Sequence, residues 1–190
     1  MHERRQLAKN RSWRGFPQSF ETERTILSYS DGEKMVIELG HSTTAEALGE
    51  KRTAASRYTG LRAMVFESVG PMRHEVSVPF HDSQVRGAAL LIQTGWDQRW
   101  GTDAYWEPGP FLAEHLIFRM VRSGVRLVGV DFPVTERSSE TQLTTDGKLA
   151  IVENLRGLAS LPRLGLRFTV VPLSDDPGVL CAVRAYAEIT

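Results

Sequence analysis

A histidine and a glutamate, far apart in this sequence, have the chemistry needed to move a proton. Gly40 is predicted to end a strand over Met35–Leu39, so that His41 opens a turn or short helix, and loops at strand ends often display functional side chains. Glu153 lies in the apolar run IVENL, where a carboxylate is seldom buried without a partner. An imidazole can act as a general base, and a carboxylate can orient it. A locally satisfied histidine and a glutamate paired with an arginine are the structural alternatives.

Further candidates have the chemistry of substrate binding. Lys51 would supply an acid or an anion anchor, with an ordinary surface lysine as the alternative. Asp131 ends a predicted strand, a typical site position in α/β sheets, but it would equally cap the following turn. Four aromatic side chains crowd one polar loop: Trp96, Trp100, Tyr105 and Trp106. Such a loop favours a flat, ring-bearing substrate or a subunit contact about as much as plain packing.

The segment 85–133 predicts the framework that positions these residues. Ala88–Gln93 and Val125–Val130 are short apolar runs typical of buried strands. Between them, apolar residues recur at helical spacing over Pro110–Ser123, and Gly124 supplies a C-terminal stop. Strand, helix and strand predict a parallel, right-handed βαβ unit. Further strands are predicted at 25–30, 59–68, 75–80, 166–172 and 179–187.

Composition limits the classes of function. The 190 residues fit one domain over 21–190 after a basic N-terminal arm, 1–20. Lys and Arg balance Asp and Glu at 23 each, so the net charge argues against nucleic acid or an acidic membrane as a partner. Cys181 is the single cysteine, and no segment has the length and apolarity of a membrane span or a signal peptide. The expected compartment is the cytoplasm.

Several segments, in order, carry a resemblance to a known family. They are LLIQTGW (90–96), RWGTDAYW (99–106), VRLVGVDFP (125–133), IVENLRGLASLP (151–162), VVPL (170–173) and AVRAYA (182–187). The set resembles the cyclase family, whose best-known members are bacterial kynurenine formamidases. The resemblance implies an α/β, swivelling β/β/α fold with a mixed sheet. It also implies a small-molecule substrate and a homo-oligomer, dimer or tetramer, with active sites near subunit contacts.

The family's signature, His-x-Gly-Thr-His-x-Asp-x-Pro-x-His, corresponds to residues 41–51 of this chain. The resemblance makes His41 the first metal ligand and Thr44 the signature threonine, which is a candidate for substrate binding. Lys51 stands where the family has its acid/base histidine. Downstream, Glu153 matches the glutamate ligand.

The other ligand positions depart from the family. Ala45 replaces the second histidine, Ala47 replaces the aspartate, and Thr141 stands where a further histidine is expected. A catalytic zinc ordinarily takes three protein ligands plus water, and alanine offers no lone pair. We therefore predict no cofactor and no metal ligands, with zinc or manganese bound only if this alignment of ligands is wrong.

Three functions follow from a resemblance with a depleted ligand set. The first is a metal-independent acid/base cyclase, lyase or isomerase that acts on an aromatic or polyketide-like biosynthetic intermediate, with His41 and Glu153 as catalytic residues. The second is a metal-dependent amide or lactone hydrolase like kynurenine formamidase. The third is a non-catalytic relative that binds a ligand or completes an assembly, because a fold alone does not fix function.

Overall fold

A computed structural model describes residues 28–30, 35–46, 57–68, 75–134, 149–173 and 180–189 of the chain, with backbone alone at 28–30, 38, 40–46, 180 and 181. The first five strands are β1 (Ser28–Ser30), β2 (Met35–Glu46), β3 (Leu61–Glu67), β4 (Glu75–Val76) and β5 (Ala89–Gln93). The others are β6 (Phe111–Leu112), β7 (Leu127–Val130), β8 (Ala150–Glu153), β9 (Leu166–Pro172) and β10 (Leu180–Ile189). Two α-helices, α1 (Asp82–Val85) and α2 (Glu114–Ser123), and 3-10 turns at Trp96–Arg99, Asp103–Trp106 and Leu158–Ser160 complete the described elements. None of the described helices is both long and apolar enough to cross a membrane.

Eight of the described strands form one sheet that closes on itself. Its order is β1-β2-β10-β9-β3-β5-β7-β8, and β2 pairs in addition with β8. Strands β3, β5, β7 and β8 run parallel to one another, whereas β9, β10 and β2 join them by antiparallel pairings. This mixed sheet with few helices confirms the predicted fold class.

The predicted βαβ unit is present, with a shorter helix. Strands β5 and β7 pair in parallel on either side of α2 in the chain. Helix α2 begins at Glu114 rather than near Pro110, because Phe111 and Leu112 pair with the distant strand β4. It ends as predicted at Gly124, whose left-handed φ of 78° is a conformation that glycine adopts without steric cost.

The prediction that Gly40 ends its strand is wrong. Strand β2 continues through Gly40 to Glu46, and its pairing with β10 shifts register between Gly40 and Thr43. A glycine inside a strand often marks such a bulge, whereas the sequence analysis took Gly40 as the end of the strand. Partners on both edges, β10 on one side and β8 on the other, keep the strand extended.

Two apolar cores lie on opposite faces of the sheet. Alternation along β5 shows the division: Leu91 packs inside the closed sheet, while Leu90 and Ile92 join the outer core beneath α2. At Gly129 of β7 the interior is so crowded that a Cβ would lie 2.6 Å from Leu155 Cδ1. The closed sheet is therefore a packed scaffold around which loops can be held in fixed positions.

Candidate functional site

The pairing of β2 with β8 sets the position of the two predicted catalytic residues. Thr44 lies directly opposite Glu153, and the backbone N–H of Arg156 donates to the carbonyl of Leu39 over 2.7 Å. The backbone of His41, between Leu39 and Thr44, therefore runs beside the segment that follows Glu153. The side chains of His41 and Thr44 lie outside the described set, as do Lys51, Ala47 and Thr141 altogether.

Glu153 ends β8 with its carboxylate held by the backbone. The side chain is half-buried, and its Oε2 accepts a hydrogen bond from the N–H of Val134 over 2.6 Å. A hydrogen bond to an ionised carboxylate is stronger than one between neutral groups. This contact fixes the carboxylate at the edge where β7 and β8 end.

Asp131 follows β7 and anchors the loop after β5. Its Oδ2 accepts hydrogen bonds from the N–H groups of Thr94 and Gly95 at 2.8 and 2.7 Å. Its Oδ1 accepts the Thr94 hydroxyl at 2.6 Å. Burial raises the pKa of Asp131 to about 6, although these three hydrogen bonds lower it in part. The predicted binding residue thus holds the start of the aromatic loop.

The four aromatic residues of that loop divide between core and surface. Trp96 is buried and donates its indole N–H to the carbonyl of Tyr105 at 3.0 Å. Tyr105 is 1% exposed and donates its hydroxyl to Asn154 Oδ1 at 2.8 Å. Trp100 is half-buried and Trp106 is 40% exposed, each packing edge-on against Tyr105 with ring centroids 5.0 Å apart. The loop therefore offers aromatic surface at Trp100 and Trp106.

Tyr105 is surrounded by ionisable groups. Burial raises its pKa far above the ordinary value, and the charges of Glu153, Asp131 and Asp97 raise it further. The positive charge of Arg156 acts in the opposite direction. The hydroxyl of Tyr105 consequently stays neutral and serves as a hydrogen-bond donor. We call these residues, together with Asn154, the Tyr105 cluster.

Three members of the Tyr105 cluster escaped the sequence analysis: Asp97, Asn154 and Arg156. Asp97 Oδ2 accepts the N–H of Gly157 at 2.9 Å and so ties the aromatic loop to the segment after β8. Asn154 has a φ of 61°, the one positive φ among the described non-glycine residues. Such conformations cost energy and often occur at functional sites. The adjacency of Asn154 and Arg156 to Glu153 was the available signal.

The described donors do not fit a metal centre of the family type. In the part of the chain that the structure describes, no three His, Cys, Asp or Glu side chains form a group able to hold an ion. Ala45, at the second ligand position, lies opposite Val152 in the β2–β8 pairing. The carboxylates of Asp131 and Glu153 are bound by backbone N–H groups of separate segments.

Comparison with known proteins supports the resemblance seen in the sequence. Residues 67–137 match the profile of a family described as "Putative cyclase". No curated protein matches the chain. Among solved structures, an isatin hydrolase bound to the product analogue thioisatinate is similar with a TM-score of 0.60 and 13% identity, over 77% of this chain and 71% of that one. A potential metal-dependent hydrolase with cyclase activity also gives a TM-score of 0.60, with 16% identity over 86% of each chain. Isatin hydrolase A from Ralstonia solanacearum gives 0.57, with 14% identity over 92% of this chain and 86% of that one.

Proposed function

We propose that this chain is a small-molecule enzyme working by acid/base chemistry, because residues 67–137 match the "Putative cyclase" family model and the fold is similar to that of a potential metal-dependent hydrolase with cyclase activity. The proposed reaction is a metal-independent cyclisation, elimination or isomerisation of an aromatic or polyketide-like intermediate. Glu153 and His41 are the proposed proton-transfer residues. Such groups, once positioned, contribute about 10²–10⁴-fold to a rate.

The observation that carries the proposal is the pairing of β2 with β8. It brings the strand of His41 beside Glu153, although the two residues are 112 positions apart in the sequence. Glu153 is half-buried, with one carboxylate oxygen held by Val134 and the side chain near the neutral Tyr105 hydroxyl. A fixed carboxylate at the edge of a sheet is suited to remove a proton from a bound substrate.

The aromatic surface supports the proposed substrate class. Trp100 and Trp106 are accessible in part and lie against Tyr105. Aromatic side chains pair with flat rings in offset or edge-to-face arrangements, each worth about 0.5–1.5 kcal/mol beyond area burial. A ring-bearing intermediate would therefore gain affinity at this surface.

A hydrolytic function is the second candidate, favoured by the isatin hydrolases among the similar structures. Isatin is a cyclic aromatic amide, so ring opening by water would be the corresponding reaction here. Hydrolysis adds one water to the substrate, whereas isomerisation keeps the mass and cyclodehydration removes a water. Mass spectrometry of the products therefore separates the two functions directly.

The experiment is to incubate the purified protein with isatin, N-formylkynurenine and a panel of aromatic polyketones, with and without EDTA, and to analyse the products by mass. Glu153→Gln and His41→Asn are the test variants. Glu67→Gln is the control, because Glu67 is an exposed glutamate paired with Arg163. We expect a product whose mass shows no gain of water, and a conversion that EDTA does not inhibit. The rate of conversion should fall about 10²-fold or more in both test variants.

Full activity in the Glu153→Gln and His41→Asn variants would disprove the acid/base assignment. A product that has gained one water, formed in a reaction that EDTA abolishes and manganese or zinc restores, would establish the hydrolase instead. Ligand binding without turnover of any compound would favour the non-catalytic binding protein.

A further inference from the structure

Arg156 brings a positive charge into the Tyr105 cluster. Its guanidinium carbon lies 5.2 Å from the centre of the Trp100 ring, and its charge acts on the hydroxyl of Tyr105. The residue is half-buried, and its backbone is fixed by the hydrogen bond to Leu39. Of the ion pairs found among the described residues, none involves Arg156. Within the described part of the chain, no contacting carboxylate therefore neutralises the guanidinium, and Trp100 packs against it.

The carboxylates around Tyr105 are occupied elsewhere. Asp131 binds the Thr94–Gly95 turn, Asp97 binds Gly157, and Glu153 binds Val134. Backbone N–H groups stabilise these negative charges. A guanidinium carries five N–H donors in a planar fork, so Arg156 can donate to an oxygen of a bound molecule.

Acid/base chemistry next to a carbonyl creates a need for such a donor. When a C–H bond beside a carbonyl breaks, its proton goes to the carboxylate of Glu153 and its electron pair forms a C=C bond. The π pair of the carbonyl then moves onto the oxygen, which gives an enolate. The negative charge passes from the enzyme to the substrate, so total charge is conserved. A fixed cation beside the oxygen stabilises the enolate more than the ketone, which is the requirement for accelerating the step.

We propose that Arg156, resting on Trp100, is the oxyanion-binding residue of this site, and that its ligands are planar aromatic ketones that form enolates or phenolates. The assignment rests on the proposed acid/base function and names the substrate class for it. Trp100 contributes a flat face beside the guanidinium, so the ring and the oxygen of one ligand are bound by adjacent groups. Arg156 would thereby stabilise the negative charge that develops on the oxygen of the ligand.

Arg99 is a matched control within the same loop. Its guanidinium carbon lies 4.0 Å from the centre of the Trp96 ring, a closer cation–π contact than that of Arg156. Arg99 is exposed, and it is not among the charges that act on Tyr105. Replacing it removes an arginine stacked on tryptophan without altering the Tyr105 cluster.

The test uses 4-nitrophenol as the probe, because its phenol and phenolate absorb at different wavelengths and its bound ionisation state can be read directly. The non-ionisable 4-nitroanisole is the neutral counterpart. Binding to the wild-type protein and to the Arg156→Gln, Arg156→Lys, Arg99→Gln and Glu153→Gln variants is measured by titration, with thermal unfolding as the check on folding.

We expect Arg156→Gln to weaken phenolate binding about tenfold or more, since a charge-assisted hydrogen bond is lost. Arg156→Lys should keep part of the affinity, and Arg99→Gln should leave it unchanged. Glu153→Gln should strengthen phenolate binding by removing a like charge. The affinity for 4-nitroanisole should stay within about twofold of the wild-type value in every variant, which is a small change in binding free energy.

Three results would each overturn the assignment. The Arg156→Gln variant could lose affinity for 4-nitrophenol and 4-nitroanisole equally, the Arg99→Gln variant could lose as much affinity for the phenolate, or the wild-type protein could fail to bind the phenolate. The probe is not turned over, so its binding is independent of catalysis. If Glu153→Gln abolishes turnover while substitution of Arg156 leaves phenolate affinity unchanged, the acid/base function is supported and the oxyanion site is disproved. Arg156-dependent binding with full turnover in Glu153→Gln would give the converse.

Discussion

Replacing Asp131 with asparagine should change how the stability of the protein depends on pH. Asp131 is fully buried, and burial raises its pKa from the ordinary 3.8 to about 6. A carboxyl group whose pKa is higher in the folded than in the unfolded state stabilises the fold while protonated. That contribution is complete below pH 3.8 and is lost as the pH rises to about 6. The loss corresponds to about 3 kcal/mol in the free energy of unfolding.

An asparagine keeps the shape of the contact but does not titrate. Its carbonyl oxygen can accept the N–H groups of Thr94 and Gly95, and its amide can donate to the Thr94 hydroxyl, which is now the donor to Asp131. Relative to the wild type, the Asp131→Asn variant should therefore gain up to about 3 kcal/mol of unfolding free energy as the pH rises from about 4 to about 6.5.

Urea unfolding at a series of pH values, followed by circular dichroism, measures this difference. The Asp103→Asn variant is the control, because Asp103 is an exposed carboxylate in the same loop. Parallel stability profiles for the wild type and Asp131→Asn across the range would refute the argument that an ionised Asp131 is held at a cost. A similar pH-dependent gain in Asp103→Asn would point to a general charge effect.

Three further substitutions test packing and hydrogen bonding. Gly129→Ala should destabilise the protein by about 1–3 kcal/mol in chemical denaturation, because the added Cβ would lie within 2.8 Å of two buried leucine side chains; an unchanged midpoint would contradict this. Tyr105→Phe removes the hydroxyl that donates to Asn154 and should cost about 1–3 kcal/mol by the same measurement, whereas a stabilised variant would show that the contact is unimportant. Ser123→Ala should leave stability equal or higher by up to about 1 kcal/mol, because the buried Ser123 hydroxyl has no hydrogen-bond partner among the described atoms; a clear loss of thermal stability would reveal a partner for it.

The fold was predictable where a signal repeats locally. Apolar spacing identified helix α2 and the strands on either side of it, and Gly124 marked the helix end. The wrong predictions lie where pairing with strands distant in the sequence determines the local structure. Residues Phe111 and Leu112 form strand β6, which pairs with β4, instead of beginning the helix. Strand β2 continues through Gly40 because β10 and β8 pair with it. Long-range pairing of this kind leaves no periodic trace in one sequence.

Two of the residues singled out in the sequence lie together in the structure, whereas their contacts were not predictable. Glu153 and Asp131 were identified from a motif and from a strand-end position, and both belong to the Tyr105 cluster. Asn154 and Arg156 were missed because their importance depends on Tyr105, 49 residues from Asn154 along the chain. An asparagine in a left-handed conformation looks like any turn residue until its partner is known.

Closure of the sheet has a consequence for how this protein can evolve. The zipper between β2 and β8 is three residue pairs long, Thr44 with Glu153, Ala45 with Val152 and Glu46 with Ile151. The same few pairs seal the scaffold and set the spacing of the two proposed proton-transfer residues. A substitution that weakens this pairing would expose strand edges, and it would also move apart the two residues proposed to transfer protons. Under the proposed function, the stability of the fold and the rate of turnover would depend on the same three residue pairs.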